Sequence, residues 1–230
     1  MSLHAIVFAG PSLGGSVMAL PDGVELRGPA RRGDMLRAAI ERPAAIGLID
    51  GLFETTPSVW HKEIIQVMAE GIAVYGAASL GALRAAELAP FGMVGIGAIA
   101  QAYEMGQIER DEAVMVSHAP AELGHRAMTL ALVDAEHAIA QVEMEAGDRV
   151  LLLRLARRMN FRDRSWALIG DAFRQATGRD LPPIDQGLSL KRKDAELLLQ
   201  TIAGPVAVPR VAPPPQSFFL RSLRAEISAA

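Results

Sequence analysis

The fold is decided by the stretch Gly71-Ile-Ala-Val-Tyr-Gly-Ala-Ala-Ser-Leu-Gly-Ala-Leu-Arg-Ala-Ala-Glu-Leu88, in which a short apolar run breaks at small residues and restarts with helical spacing. Ser79 lies at the break, inside the pattern Ala77-x-Ser79-x-Gly81. This pattern differs by one methyl group from the Gly-x-Ser-x-Gly elbow, a tight strand-to-helix turn that presents a serine hydroxyl and directs the following backbone N–H groups outward. Ser79 is then either a nucleophile or anion ligand, or a small residue that lets a helix pack closely onto a sheet.

Apolar runs and helical patterns alternate through the first half of the chain. The runs cover residues 4–9, 23–27, 45–50, 72–76 and 113–117, and the helical patterns cover residues 34–41, 57–70, 80–88 and 96–105. Short apolar runs bounded by turn residues are typical of buried strands, and strands that alternate with helices form parallel sheets. The sequence therefore predicts a Rossmann-like α/β fold, with a mainly parallel sheet and flanking helices, followed by a C-terminal helical region.

The second half of the chain, from Pro120 onward, has a helical pattern. Helices are predicted over residues 120–146, 148–159, 165–175 and 191–202, and a proline-rich stretch follows over residues 205–215. The change from alternating strands and helices to helices alone, and then to a proline-rich stretch, divides the chain into three parts. They are an α/β core (residues 1–118), a helical region (119–204) and a Pro-rich tail (205–230). The last segment, residues 217–230, is expected either to dock as a helix or to form a contact within a homo-oligomer.

Composition narrows the classes of function. The formal net charge is −3 and no basic run is longer than Lys191-Arg192-Lys193, so nucleic acid is not an expected partner. The absence of cysteine excludes disulfides, thiolate metal sites and a persulfide-carrying nucleophile. His125 and His137 are too far apart on their predicted helix to share a metal ion, so neither a metal nor a cofactor is expected. Without a secretory signal or an apolar span of membrane length, we expect a cytoplasmic protein that does not enter a membrane.

Polar side chains follow four of the predicted strands. Ser12, Asp50, Ser79 and His118 each come at or just after the carboxyl end of a strand. Because those ends share one edge of a parallel sheet, and ligands of such sheets bind outside that edge, the four side chains form the candidate site.

A serine hydroxyl such as that of Ser79 needs a base before it becomes a good nucleophile. His61 is the first candidate, because it lies on the first turn of a predicted helix, where the helix dipole disfavours the imidazolium form. His118 is the second. Asp50 or Glu63 is the candidate for the group that orients the imidazole. The alternatives are a solvated helix surface for His61 and a backbone-bonded strand end for His118.

The remaining candidates are expected to bind charge. The backbone N–H groups that follow Ser79, beginning with Leu80, are candidates for an oxyanion hole. The loop that carries Ser12 is expected to face the same site. Arg84 either receives an anion one turn from Ser79 or simply pairs with Glu87 on the helix surface.

Several short motifs occur in one order along the chain. They are Phe8-Ala-Gly-Pro-Ser-Leu13, Ile49-Asp-Gly-Leu-Phe53, His61-Lys-Glu-Ile64, Gly76-Ala-Ala-Ser-Leu-Gly-Ala-Leu-Arg-Ala-Ala-Glu87, Gly92-Met-Val-Gly95, Tyr103-x-x-Gly106 and, more weakly, Ser189-Leu-Lys-Arg-Lys-Asp194. Together they resemble the TfuA-like family, most densely from residue 4 to residue 118. Members of that family typically act with YcaO enzymes, which activate a peptide amide with ATP, to install backbone thioamides on ribosomally made peptides or on methyl-coenzyme M reductase.

The resemblance implies hydrolysis of a thiocarboxylated ThiS-like sulfur-carrier protein, which releases sulfide for the YcaO partner and involves the precursor peptide only indirectly. A thiocarboxylate is an acyl group, so Ser79 would attack it with His61 as base. The lack of cysteine agrees, since the sulfur need never be held covalently by this chain. The competing interpretation is a non-catalytic binding module, whose Ser79 turn and Ser12 loop recognise the carrier or activate the YcaO enzyme.

Overall fold

Five parallel strands form one sheet in the order β2-β1-β3-β4-β5. The computed structural model describes residues 4–14, 16–52, 56–205, 207 and 210–229, so Phe53 of the second motif and a few residues of the tail lie outside the described part. The strands are β1 (Ala5–Phe8), β2 (Val24–Arg27), β3 (Ala45–Leu48), β4 (Ala73–Ala77) and β5 (Val94–Ile96). The predicted α/β architecture with a parallel sheet is confirmed.

Nine helices accompany the sheet in the described ranges. They are α1 (Asp34–Ile40), α2 (His61–Ala69), α3 (Leu80–Leu88), α4 (Ala98–Glu104), α5 (Leu132–Ala140), α6 (Ala146–Arg158), α7 (Trp166–Thr177), α8 (Leu190–Ile202) and α9 (Phe218–Ser228). None of these helices is long and apolar enough to cross a membrane.

Both faces of the sheet are covered, which explains why its central strands are apolar at every position. In β1, Ile6 and Phe8 pack on one side with α1, α2, α3 and α9. Ala5 and Val7 pack on the other side with α8. The helices α4 to α7 build a further apolar cluster, which also contains Ala82 of α3. The division of the chain at residue 118 stays a prediction, but α8, from beyond that boundary, packs directly on the sheet.

The last segment of the chain docks as a helix. Leu220 and Leu223 of α9 are buried in the same cluster as α1 and α2. Leu220, Leu223 and Ile227 recur at helical spacing and give α9 one apolar face. The first of the two alternatives for residues 217–230 is therefore confirmed, whereas an oligomer contact stays a prediction.

The fifth strand lies elsewhere than predicted. It is Val94–Ile96, which pairs with β4, whereas residues 113–117 form no strand. Val114 is fully buried, but its carbonyl accepts hydrogen bonds from side chains instead of from a neighbouring strand. The apolar run at 113–117 is therefore explained by the burial of Val114 and not by strand pairing. As a result, His118 does not follow a strand.

The helix predicted over residues 120–146 is also shorter than expected, since α5 covers only Leu132–Ala140. The preceding segment folds back on itself through a single antiparallel bridge between His118 and Ala127. His125 lies in that turn with a φ of 53°, a left-handed conformation that cannot continue a helix.

The strand order places a crevice between β1 and β3. From β1 the chain runs to β2 on one side and then returns to β3 on the other side. Connections that leave in opposite directions open a gap outside the carboxyl ends of the two strands, where ligands of doubly wound sheets bind. Ser12 follows β1 and Asp50 follows β3, so both lie at this gap.

Candidate functional site

Asp50 closes the base of the crevice between β1 and β3. Its side chain is buried, and Oδ2 accepts hydrogen bonds from the backbone N–H groups of Gly10 at 2.8 Å and Ser12 at 2.9 Å. Oδ1 accepts from Ser12 Oγ at 2.7 Å. Three donors offset the cost of burying a carboxylate. Asp50 therefore fixes the loop after β1, and two of the predicted site residues contact each other directly.

The predicted elbow at Ser79 is present, and its strain lies one residue earlier. Ala78 has a φ of 63°, and the N–H of Ser79 donates to the carbonyl of Ala77 at 2.7 Å, which closes a three-residue γ-turn. A left-handed conformation costs a non-glycine residue about 1–2 kcal/mol. The N–H of Gly81 donates to the Ile49 carbonyl at 3.1 Å, so the start of α3 is fixed to the end of β3.

The hydroxyl of Ser79 shares a hydrogen-bond acceptor with a lysine from the helical half of the chain. Ser79 Oγ donates to the carbonyl oxygen of Val114 at 3.4 Å, and Lys191 Nζ donates to the same oxygen at 2.8 Å. Both side chains are buried, at 5% and 3% exposure. The amine and the hydroxyl are thus within two hydrogen-bond lengths of each other.

A cavity of about 340 Å³ opens beside Lys191. Its walls come from the loop after β1, the segment 116–131 and the start of α8, and they include Ser12, Arg126, Lys191 and Arg192. One carboxylate, that of Asp134, also lines it. The cavity is therefore suited to an anionic ligand. Ser79 is not among the described residues that line the cavity, whereas Lys191, which shares the Val114 carbonyl with Ser79, is.

Asp134 and Arg192 hold α8 in position against the cavity. Asp134 accepts hydrogen bonds from the backbone N–H of Lys191 at 3.0 Å and from Ser189 Oγ at 3.2 Å. Burial raises the pKa of Asp134, and the nearby Lys191 opposes that rise. Arg192 donates from Nε and Nη2 to the carbonyl of Gly14, at 3.1 and 2.8 Å. The loop after β1 and the first turn of α8 are therefore joined.

Lys191, Asp134 and Arg192 are the site residues that sequence reasoning missed. The segment 189–194 is part of the weaker resemblance, and Lys191 and Arg192 belong to the longest basic run, but neither signal assigns them a role. A basic run is usually a solvated helix face. Here the helix N-terminus turns Lys191 inward while Lys193 stays exposed.

His61 and Arg84 belong to a separate surface cluster. His61 Nε2 lies 2.7 Å from Glu87 Oε2, and Arg84 Nη1 donates to the same oxygen at 2.5 Å. The His61 side chain is 45% exposed. Among the described residues, no hydrogen bond joins Ser79 to an imidazole. The role of His61 as base stays a prediction, and to reach Ser79 the ring would first have to leave Glu87.

His118 and Leu80 are likewise placed by other contacts. His118 Nδ1 lies 2.8 Å from the carbonyl oxygen of Ala119, and its ring packs edge-on against that of His125 at 5.5 Å between centroids. The Leu80 side chain is fully buried in the sheet-facing cluster. The oxyanion role predicted for the N–H groups after Ser79 remains untested, although the N–H of Gly81 is already used by Ile49.

Glu63 joins two helix starts and contacts no imidazole within the described chain. Its side chain is fully buried, Oε1 accepts from the backbone N–H of Trp60 at 2.7 Å, and Oε2 accepts from that of Gly33 at 2.8 Å. Burial raises the pKa of Glu63 to about 7, and the two backbone donors oppose the rise. Glu63 therefore links the start of α1 to the start of α2 through these two hydrogen bonds.

The raised pKa of Glu63 predicts a pH-dependent stability. Because the folded-state pKa of about 7 exceeds the ordinary value of 4.5, protonation favours the folded chain, and this contribution is lost as the pH rises from 4.5 to 7. Over that window we expect the free energy of unfolding of wild type to fall by roughly 2–3 kcal/mol relative to Glu63→Gln. Urea unfolding across the window measures the difference. The exposed control Glu104→Gln should keep the wild-type slope, and an equal slope in Glu63→Gln would contradict the assignment.

Comparison with known proteins places the chain in a family. The family model described as TfuA-like protein matches residues 50–165, which include Asp50, Ser79 and Val114. A search of curated proteins finds no match. Since the family match spans half of the 230 residues, the chain belongs to the TfuA-like family, which is associated with accessory functions in thioamidation.

Proposed function

We propose that the chain hydrolyses the thiocarboxylated carboxyl terminus of a small ThiS-like sulfur-carrier protein and releases sulfide for a partner YcaO enzyme. The YcaO enzyme then uses the sulfide to thioamidate a precursor peptide. The observation that carries the proposal is the Ser79 hydroxyl, which lies at a strained strand-to-helix turn and shares an acceptor with Lys191 at the wall of a cationic cavity.

The reaction has two halves. Ser79 Oγ bonds to the carbonyl carbon of the thiocarboxylate, the carbon–sulfur bond breaks, and the sulfur leaves as hydrosulfide while the acyl group stays on the serine. Water then attacks the acyl carbon, the bond to Ser79 Oγ breaks, and the carrier leaves with an ordinary carboxyl terminus. One water is consumed for each sulfide released.

The cavity suits the end of a flexible tail better than a folded domain. Its volume of about 340 Å³ is at the small end of ligand pockets. The positive charges of Arg126 and Arg192 outnumber the one carboxylate among the described lining residues, that of Asp134, and would attract a thiocarboxylate anion. We therefore propose that the carrier's tail enters the cavity while its folded body stays outside.

Ser12 is the competing hydroxyl, because it lines the cavity and Ser79 does not. Its Oγ–H is already donated to Asp50 at 2.7 Å. The same carboxylate also accepts the backbone N–H groups of Gly10 and Ser12, so Asp50 and Ser12 together hold the loop after β1. We therefore assign the nucleophile to Ser79, and Ser12 to the support of the loop.

Sulfide release tests the proposal. Purified full chain is incubated with thiocarboxylated carrier, and free sulfide and carboxylated carrier are both quantified. Equal amounts of the two products, well above the buffer control, are expected. If the chain yields no more sulfide than buffer does, the hydrolase proposal fails.

The second candidate is a binding module that recruits the carrier or activates the YcaO enzyme without chemistry of its own. Ser79 is buried and is not among the described residues that line the cavity, which favours this candidate. Supplying free sulfide to the YcaO reaction separates the two candidates. A hydrolase becomes dispensable under that condition, whereas a module that activates the YcaO enzyme, including its Ser79→Ala variant, would still stimulate thioamidation. A module that only recruits the carrier also becomes dispensable, but it yields no sulfide from the carrier in the assay above.

A further inference from the structure

We propose that Lys191 is the acid–base group that activates Ser79, an inference that rests on the proposed function. Lys191 Nζ and Ser79 Oγ converge on one acceptor, the carbonyl oxygen of Val114, at 2.8 and 3.4 Å. Val114 lies 35 positions from Ser79 and 77 positions from Lys191, so the fold and not local structure brings the three residues together. A lysine with one bond to a carbonyl still has other positions on Nζ with which to exchange a proton.

The other candidate bases are occupied elsewhere. Asp50 accepts three hydrogen bonds from the loop after β1, and Glu63 accepts two from helix starts. His61 faces Glu87, and His118 contacts the Ala119 carbonyl. Within the described ranges, Lys191 is the titratable side chain that shares a hydrogen-bond acceptor with Ser79.

The position of Lys191 is fixed from two sides. Asp134 of α5 holds its backbone N–H at 3.0 Å, and Ser189 caps α8 by accepting from the N–H of Arg192 at 3.0 Å. Three residues on, the buried carboxylate of Asp194 accepts from the N–H groups of Ala98 and Ile99 and anchors α8 to the start of α4. The first turn of α8 is therefore rigidly placed, as a catalytic group requires.

The amine moves one proton in each half of the reaction. Nζ takes the proton of Ser79 as Oγ bonds to the carbonyl carbon, and gives it to the sulfur as the carbon–sulfur bond breaks, so that hydrosulfide leaves. In the second half Nζ takes a proton from the attacking water and returns it to Ser79 Oγ as the acyl bond breaks. The carboxylic acid that forms ionises in water, and Lys191 ends as it began.

Labelling with a fluorophosphonate tests this role without the carrier. Such a reagent reacts with a serine only when its hydroxyl is activated, and peptide mapping shows which serine is modified. Wild type should be labelled at Ser79, and Lys191→Met should slow that labelling by at least about a hundredfold. The matched control Lys193→Met, on the same helix but exposed, should stay within about twofold of wild type.

A second variant covers the case in which Lys191→Met fails to fold. Lys191→Arg keeps a hydrogen-bond donor to the Val114 carbonyl, but its guanidinium cannot accept a proton, so its labelling should fall as far while its melting temperature stays near that of wild type. Small primary amines added to Lys191→Ala should restore part of the labelling, which a purely structural role would not allow.

The two readouts separate the two proposals. Undiminished labelling of Ser79 in Lys191→Met and Lys191→Arg, or the absence of labelling in wild type, would overturn the role of Lys191 even if sulfide is released. Lysine-dependent labelling without sulfide release from the carrier would support the Ser79–Lys191 pair and reject the substrate.

Discussion

Replacing Ser79 by alanine is expected to lower kcat for sulfide release by at least about a thousandfold, because the acyl-enzyme can no longer form. Carrier binding should change little, since the cationic residues that line the cavity remain in place. The free energy of unfolding should also stay near that of wild type, because the bond that is lost is a long one, 3.4 Å from Ser79 Oγ to the Val114 carbonyl. Steady-state sulfide assays and urea unfolding measure the two effects.

Ser12→Ala is the matched control, since it removes the other hydroxyl at the same sheet edge. We expect a loss of about 1 kcal/mol of stability, from the bond to Asp50, and less than about a tenfold loss of kcat. If instead Ser12→Ala abolishes sulfide release and Ser79→Ala retains it, the nucleophile has been assigned to the wrong strand end.

Gly81→Ala is expected to destabilise the fold by at least about 4 kcal/mol. A Cβ at this position would overlap the backbone carbonyl oxygen of Leu48 in β3, and backbone within the sheet has no room to move away. Gly81 is thus the reason that α3 can begin directly against β3, which places Ser79 above the sheet edge. Equilibrium urea unfolding gives the difference.

The control is Gly147→Ala, in the first turn of α6, where nothing lies within 4 Å of the added Cβ. The reduced freedom of the unfolded chain should stabilise this variant by about 0.4–1 kcal/mol. Equal stability of Gly81→Ala and Gly147→Ala would show that α3 and β3 do not approach as closely as described.

The central sheet could be predicted because each buried strand carries its own signal. The runs at 4–9, 45–50 and 72–76 are apolar at nearly every position, as strands covered on both faces must be. β5 has no such signal, because it is an edge strand of three residues in which Val94 is 45% exposed. Residues 113–117 have the same apolar pattern but form no strand, because Val114 is buried without strand pairing.

The site could be predicted only where it follows the strands. Ser12, Asp50 and Ser79 come at strand ends, so a parallel sheet suffices to place them at one edge. The position of Lys191 depends on how α8 packs across the second face of the sheet, which no local pattern determines. The role predicted for His61 as a base stays a prediction, and its hydrogen-bond partner in the fold, the exposed Glu87, could not be read from its position at a helix start.

Trapping the acyl-enzyme is the most direct test of Ser79 as the nucleophile of thiocarboxylate hydrolysis. Thiocarboxylated carrier is mixed with the full chain, the reaction is quenched with acid while sulfide is still accumulating, and the products are separated under denaturing conditions and mapped by mass spectrometry. We expect a covalent ester between the carrier's carboxyl terminus and Ser79, which hydroxylamine cleaves and which is absent from Ser79→Ala. Sulfide release without any adduct, or with the adduct on Ser12, would contradict this assignment.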